Sequence, residues 1–239
     1  MTQLFALQGN DVSTGNEMVI RIRDHFALPI VEEYANGVKV GEGVFSHEAV
    51  AEALLQSVET GLVRTPVLPR GALHYVELTK SRRFLFMEVA PQCRKALYHE
   101  AVIEDVPFPR LVFGFELRER DKKWAIAHVY LAALEDQIIP NEESMVYFYP
   151  YTNVQSNFQV CWGGQQLPEI ERFSQLSTFP ELFFNSPNSD CYYHSANNSK
   201  LSYRELVTKI KGQSFPQEYL KTTNLTLQQW FNRIIGFEV

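Results

Sequence analysis

The sequence predicts an α+β protein in which consecutive antiparallel strands lead to a cysteine-bearing loop and helices follow it. Three observations predict this. Aromatic residues make up 13% of the 239-residue chain, with 17 Phe and 11 Tyr, which favours β-rich packing over a helical bundle. Two long β-like runs, Leu111–Arg118 and Trp124–Leu134, are joined by the charged turn Glu119–Lys123. Capped apolar-faced segments gather towards the C-terminal end, one opened by Ser202 and one by Thr226.

Taken in order, Met18–Arg23 alternates apolar and polar residues, and Ile30–Val40 reads as a hairpin turned at Asn36-Gly37. Ser46 caps a helix with Ala49, Val50, Ala53, Leu54 and Val58 on one face, ended by Gly61. Pro66 and Pro69 shape a crossing loop. Leu73–Leu78 and Phe84–Val89 are short strands, and Cys93 to Tyr98 is expected to make a helical turn. Pro107-Phe-Pro opens the second half, which runs as a meander through Met145–Tyr149 into the cysteine loop. Ile170–Leu176 and Pro180–Phe184 suggest helical turns, and Ser186–Ser199 is a polar loop. Leu206, Val207 and Ile210 face the core from the next helix, closed by Gly212. The last helix presents Leu227, Trp230, Phe231, Ile234 and Ile235. The expected organisation is an N-terminal extension of hairpin plus helix over residues 1–70, and a core with C-terminal helices over 71–239.

The net charge of −6 argues against a nucleic-acid footprint, since such surfaces are basic. No apolar run reaches the roughly 18 residues of a membrane-spanning helix, so no membrane partner is expected. The opening MTQLFALQGNDVSTG lacks the basic start and apolar stretch of a secretory signal. Cys93, Cys161 and Cys191 give neither a disulfide framework nor a zinc pattern. A reducing cytoplasm is the expected setting, with no cofactor and no metal.

The stretch Tyr149 to Gly164, YPYTNVQSNFQVCWGG, concentrates the chemistry. Asn153 stands eight residues before Cys161, and Asn157 lies midway where the chain must turn. This offers a thiol at a strand end and an amide that folds back towards it. Ubiquitin-conjugating enzymes carry a run of this shape, His-Pro-Asn-Ile/Val, a turn, then Ile/Val-Cys. Asn153-Val154 and Val160-Cys161 match it at the same spacing, while Tyr151 and Thr152 replace His-Pro. Phe158, or Asn157 if the turn shifts by one, replaces the usual Gly.

The chain as a whole resembles a bacterial ubiquitin-conjugating-enzyme-like family, prokaryotic family D, known as protein B of the plasmid-associated PRTRC gene cluster. SHEAVAEALL, RRFLF, FPRLVFGFELR, the cysteine loop, ELFFNSPNSDCYYH, FPQEYL and TLQQW carry that resemblance. It implies a ubiquitin-conjugating-enzyme-like α+β fold, an antiparallel β-meander flanked by helices. It also implies a gene neighbourhood encoding an activating-enzyme-like protein, a ubiquitin-like protein and a JAB-type peptidase, with related clusters acting in antiphage defence. The usual Thr-His-Pro after the Phe-Phe segment is reduced here to a lone His194.

On this reading Cys161 accepts a ubiquitin-like protein from the activating enzyme as a thioester and passes it to an acceptor amine on another protein. Gly163 and Gly164 let backbone approach the incoming tail. Asn153 either donates to the oxyanion or braces the loop. His194 is the candidate base or acceptor-positioning group, with Asp190 or Glu169 as alternatives. Cys191 and Cys93 read as incidental, and Trp162, Phe183 and Phe184 as packing. The rival readings are a module that binds a ubiquitin-like protein without carrying it, a scaffold subunit of a plasmid or defence complex, and a cysteine hydrolase. The last requires a His beside the thiol and a third orienting group.

Overall fold

The Asn36-Gly37 turn takes positive φ at both residues, 51° and 81°, as a tight hairpin connection requires. It joins β2 (Ile30–Ala35) to β3 (Val38–Val44), and β1 (Asn16–Arg21) pairs antiparallel on the other side of β2. Buried Glu32 accepts hydrogen bonds from Lys39 Nζ at 2.9 Å and Arg21 Nε at 2.8 Å. These bonds, Lys39 first, hold its carboxyl down at about 2. Helix α1 (His47–Ser57) follows, with the Ala49 N–H donating to Ser46 Oγ at 3.1 Å and Val50 buried. The computed structural model describes residues 16–23, 27–57, 65–136, 139–193 and 196–237, so Val58 and the helix stop at Gly61 lie outside the described residues. These first elements belong to one compact unit, up to residue 64, and the remaining elements to a second, from residue 65.

The second unit is built on a six-stranded antiparallel sheet. Strands β4 (Ala72–Thr79) and β5 (Arg82–Val89) form its first hairpin, but the meander expected from sequence is then interrupted. β6 (Gln92–Tyr98) and β7 (Ala101–Phe108) leave to make a separate two-stranded sheet. The Cys93 to Tyr98 segment is therefore a strand and not a helical turn, because cross-strand pairing to β7 overrides weak local preference. Pro107 is seated in β7, a placement open to Pro on an edge strand.

The chain returns with β8 (Arg110–Arg120), which pairs with β5 and with β9 (Lys123–Leu134). β10 (Met145–Phe148) adds the next strand. A short 3-10 turn (Phe173–Thr178) leads into α2 (Phe179–Phe184). The Ser202-capped helix α3 (Tyr203–Ile210) buries Leu206, Val207 and Ile210 as its pattern required. A strand absent from the sequence reading, β11 (Thr222–Thr226), pairs with β10 and runs directly into α4 (Leu227–Ile235). The sheet order is β11-β10-β9-β8-β5-β4.

Each face of the sheet has its own core. Leu85, Met87, Leu111, Phe113, Phe115 and Leu131 pack with α2, α3 and the cysteine loop. Phe84, Phe86, Val112, Ala132 and Val146 pack with Trp230 and Phe231 of α4. The alternation along β5 and β8 assigns neighbours to opposite faces, so these strands read as near-continuous apolar runs. Gly114 is the closest approach on the α4 side, since a Cβ there would lie 2.8 Å from the ring of fully buried Phe86. Gly114→Ala is expected to destabilise the protein by about 1–3 kcal/mol through overpacking, read as a lower urea midpoint at unchanged slope.

Candidate active site

The cysteine loop is a short hairpin paired edge to edge with β9. Val154 and Val160 form an antiparallel bridge, Gln159 bridges to Tyr130, and the Val160 N–H donates to Val129 O at 2.8 Å. The Gln155 N–H donates to Gln159 O at 2.9 Å, and the Phe158 N–H to Gln155 O at 2.9 Å. Asn157 Oδ1 accepts from the Gln159 N–H at 3.1 Å, the local bond by which Asn favours turns. The next residue after the paired segment is Cys161, whose N–H donates to Asn153 O at 2.8 Å. The thiol therefore stands where pairing ends, held by its own backbone.

Phe158 has φ 72°, the left-handed conformation that Gly adopts most freely. A left-handed non-glycine residue costs roughly 1–2 kcal/mol, and fully burying a Phe side chain returns roughly 1.5–3 kcal/mol. Phe158 is 1% exposed, stacked on Phe148 at 5.4 Å and edge-on to Trp230 at 5.9 Å. Burial outweighs strain, and the turn is nailed to the core beneath α4.

Tyr151, Thr152 and Asn153 tie the loop to its surroundings. The hydroxyl of buried Tyr151 donates to Pro107 O, and burial pushes its pKa well above the ordinary tyrosine value. Thr152 Oγ1 donates to Asn188 Oδ1 at 2.8 Å. Asn153, at φ 69°, donates from Nδ2 to Pro187 O at 2.8 Å and from its backbone N–H to Cys191 O at 3.1 Å. The 187–191 segment is gripped from the other side by the β6–β7 turn. The Asn188 N–H donates to Leu97 O at 2.7 Å, and the His99 N–H to Asn188 O at 3.0 Å.

Between these segments lies a cavity of about 560 Å³, lined by Asn153, Cys161, Trp162, Gly163, Gly164, Gln165, Ser186, Pro187, Ser189 and Cys191. Cys161 is half-buried and Cys191 exposed, both as free thiols. Gly163 and Gly164 have φ 57° and 86°, and a Cβ on either would meet nothing within 4 Å, so the backbone there faces open space. Trp162 packs across Phe179 at 5.5 Å and Phe183 at 6.0 Å, fixing one wall.

The structure brings Cys161 and Asn153 into one cavity, with Asn153 already engaged through its amide. His194 lies outside the described residues. Asp190 and Glu169 do not line the cavity; Asp190 accepts from the Tyr98 hydroxyl at 2.8 Å and stands 3.8 Å from His99 Nε2. Cys191, read from sequence as incidental, lines the same cavity as Cys161. Its only sequence signal was its place in the NSPNSDC segment that follows Phe183-Phe184. Cys93 lines a different cavity, beside Gly212 and Phe215. Among the described residues, no cluster of His, Cys, Asp or Glu could hold a metal ion, and no helix is long and apolar enough to cross a membrane.

The model of prokaryotic E2 family D matches residues 48–223, from within α1 into β11, and the chain belongs to that family. Membership brings an E2-like conjugating character and, with it, partners of the ubiquitin-like and activating-enzyme kinds. No curated protein and no solved structure matches the chain.

Because Phe158 is both strained and buried, its substitutions should order unusually. Phe158→Ala is expected to cost about 3–5 kcal/mol, and Phe158→Gly about 1 kcal/mol less than that, since Gly adopts the left-handed turn freely. Chemical denaturation of the two variants checks this.

Proposed function

We propose that this protein has a ubiquitin-conjugating-enzyme-like fold and carries a ubiquitin-like protein as a thioester on Cys161. The activating enzyme delivers the acyl group, and the chain then passes it to an acceptor amine, the setting being the cytoplasm. The observation that carries this reading is the position of Cys161. It is the first residue beyond a pinned hairpin, half-exposed, at the wall of a cavity floored by two glycines. The Cys161 thiolate attacks the carbonyl carbon of the incoming thioester, the activating enzyme's thiolate leaves, and the new thioester is of the same chemical kind. Little activation of the thiol is needed, because the donor is already activated.

Gly163 and Gly164 leave room for an extended tail to pass beside the thioester. Asn153 serves first as a brace, its amide joining the cysteine loop to Pro187. His194 and an acceptor-side carboxylate stand as proposals for handling the amine proton.

Mixing the protein with the activating enzyme and ubiquitin-like protein of its own gene neighbourhood, plus ATP, tests the reading on non-reducing gels. A thiol-sensitive adduct is expected for the wild type and none for Cys161→Ala, with a hydroxylamine-labile, thiol-resistant adduct for Cys161→Ser. Asn153→Ala should load and discharge about tenfold or more slowly if the amide aids the oxyanion. As a brace alone it should instead lower stability by about 1 kcal/mol and leave the chemistry near wild type. An adduct that persists in Cys161→Ala would contradict the assignment.

A further inference from the structure

The cavity that holds Cys161 has a second nucleophile in its wall. Cys191 sits across Asn153 from Cys161, each one backbone hydrogen bond away: the Asn153 N–H donates to Cys191 O at 3.1 Å, and Asn153 O accepts from the Cys161 N–H at 2.8 Å. Both thiols are free, and they are the only ionisable groups among the described residues lining that cavity. The segment carrying Cys191 is held and not adrift. The Cys191 N–H donates to Ser189 Oγ at 3.2 Å, and Asn188 is bonded on one side to Thr152 and on the other to Leu97. Cys191 is also the more exposed of the two.

We propose that Cys191 is a second acyl-carrying thiol, which takes the group from Cys161 by transthioesterification within the cavity. This rests on the assignment of Cys161 as the acyl acceptor. The step balances without any outside reagent. The Cys191 thiol gives its proton to solvent, and its thiolate attacks the carbonyl carbon bound to Cys161 Sγ. A new C–S bond forms at Cys191, the C–S bond at Cys161 breaks, and Cys161 leaves as thiolate and takes up a proton. One thioester replaces another, so the exchange is close to thermoneutral, and the cavity supplies the proximity that makes an intramolecular exchange fast. The consequence for function is direct. The acyl group moves from the half-buried loading position to a more exposed one, and Cys161 is freed.

The test uses a synthetic peptide benzyl thioester ending in glycine as acyl donor, so that it depends on neither the activating enzyme nor the ubiquitin-like protein. The full chain is used with Cys93→Ser, which removes the thiol outside the cavity. After a pulse of donor, free thiols are blocked with N-ethylmaleimide, and acid digestion with mass spectrometry reports which cysteine carries the acyl group. The expected result is acyl on Cys161 first and on Cys191 later, with Cys191 acylation falling at least tenfold in Cys161→Ala. Acyl confined to Cys161, or acyl on Cys191 at the wild-type rate in Cys161→Ala, would overturn the relay. A relay seen with the peptide, beside failed charging by the activating enzyme, would separate the fate of this proposal from that of the conjugating function.

Discussion

The arrangement depends on one three-way hydrogen-bonded junction. Asn153 and Asn188 join the cysteine loop, the 187–191 segment and the β6–β7 turn through hydrogen bonds of 2.7–3.1 Å. The cysteine loop and the 187–191 segment lack regular structure of their own at that point, and the 187–191 segment satisfies its backbone groups by bonding the cysteine loop on one side and the Leu97–His99 end of β6 on the other. The cavity exists because these segments are held apart and in register. Without the junction, Cys161 would still end a hairpin paired with β9, but the far wall of its cavity would have no fixed position.

The junction rests in turn on the sheet. β8 and β9 are long and apolar on both faces, which allows α4 to cover one side while α2 and α3 cover the other. Phe158 crosses from the loop into the α4-side core, whereas Tyr151 and Val160 belong to the opposite one. The cysteine loop is thus anchored in both cores at once. That double anchorage is why a left-handed Phe is tolerated: its burial contributes more than its backbone costs.

Much of this was legible in the residues. The two long strands, the Asn36-Gly37 hairpin, the Ser202 and Thr226 caps and the placement of Cys161 just past Val160 all follow from local patterns. What was not legible depended on long-range pairing. The β6 segment lacks a strong strand pattern and becomes a strand only by meeting β7. β11, with its Thr and Asn residues, is made by its neighbour β10. The sharing of one cavity by Cys161 and Cys191, thirty residues apart, is a product of the junction and not of either segment alone. The same holds for Tyr151 and Thr152, whose side chains find Pro107 and Asn188 only in the fold.

We propose that the acyl group on Cys161 occupies the cavity bounded by the cysteine loop and the 187–191 segment. Amide hydrogen exchange on the free protein and on its stable Cys161→Ser conjugate with the ubiquitin-like protein tests it most directly. Slowed exchange at 161–165 and 186–191 is the result this account predicts. Unchanged exchange in both segments, with protection only elsewhere, would contradict it.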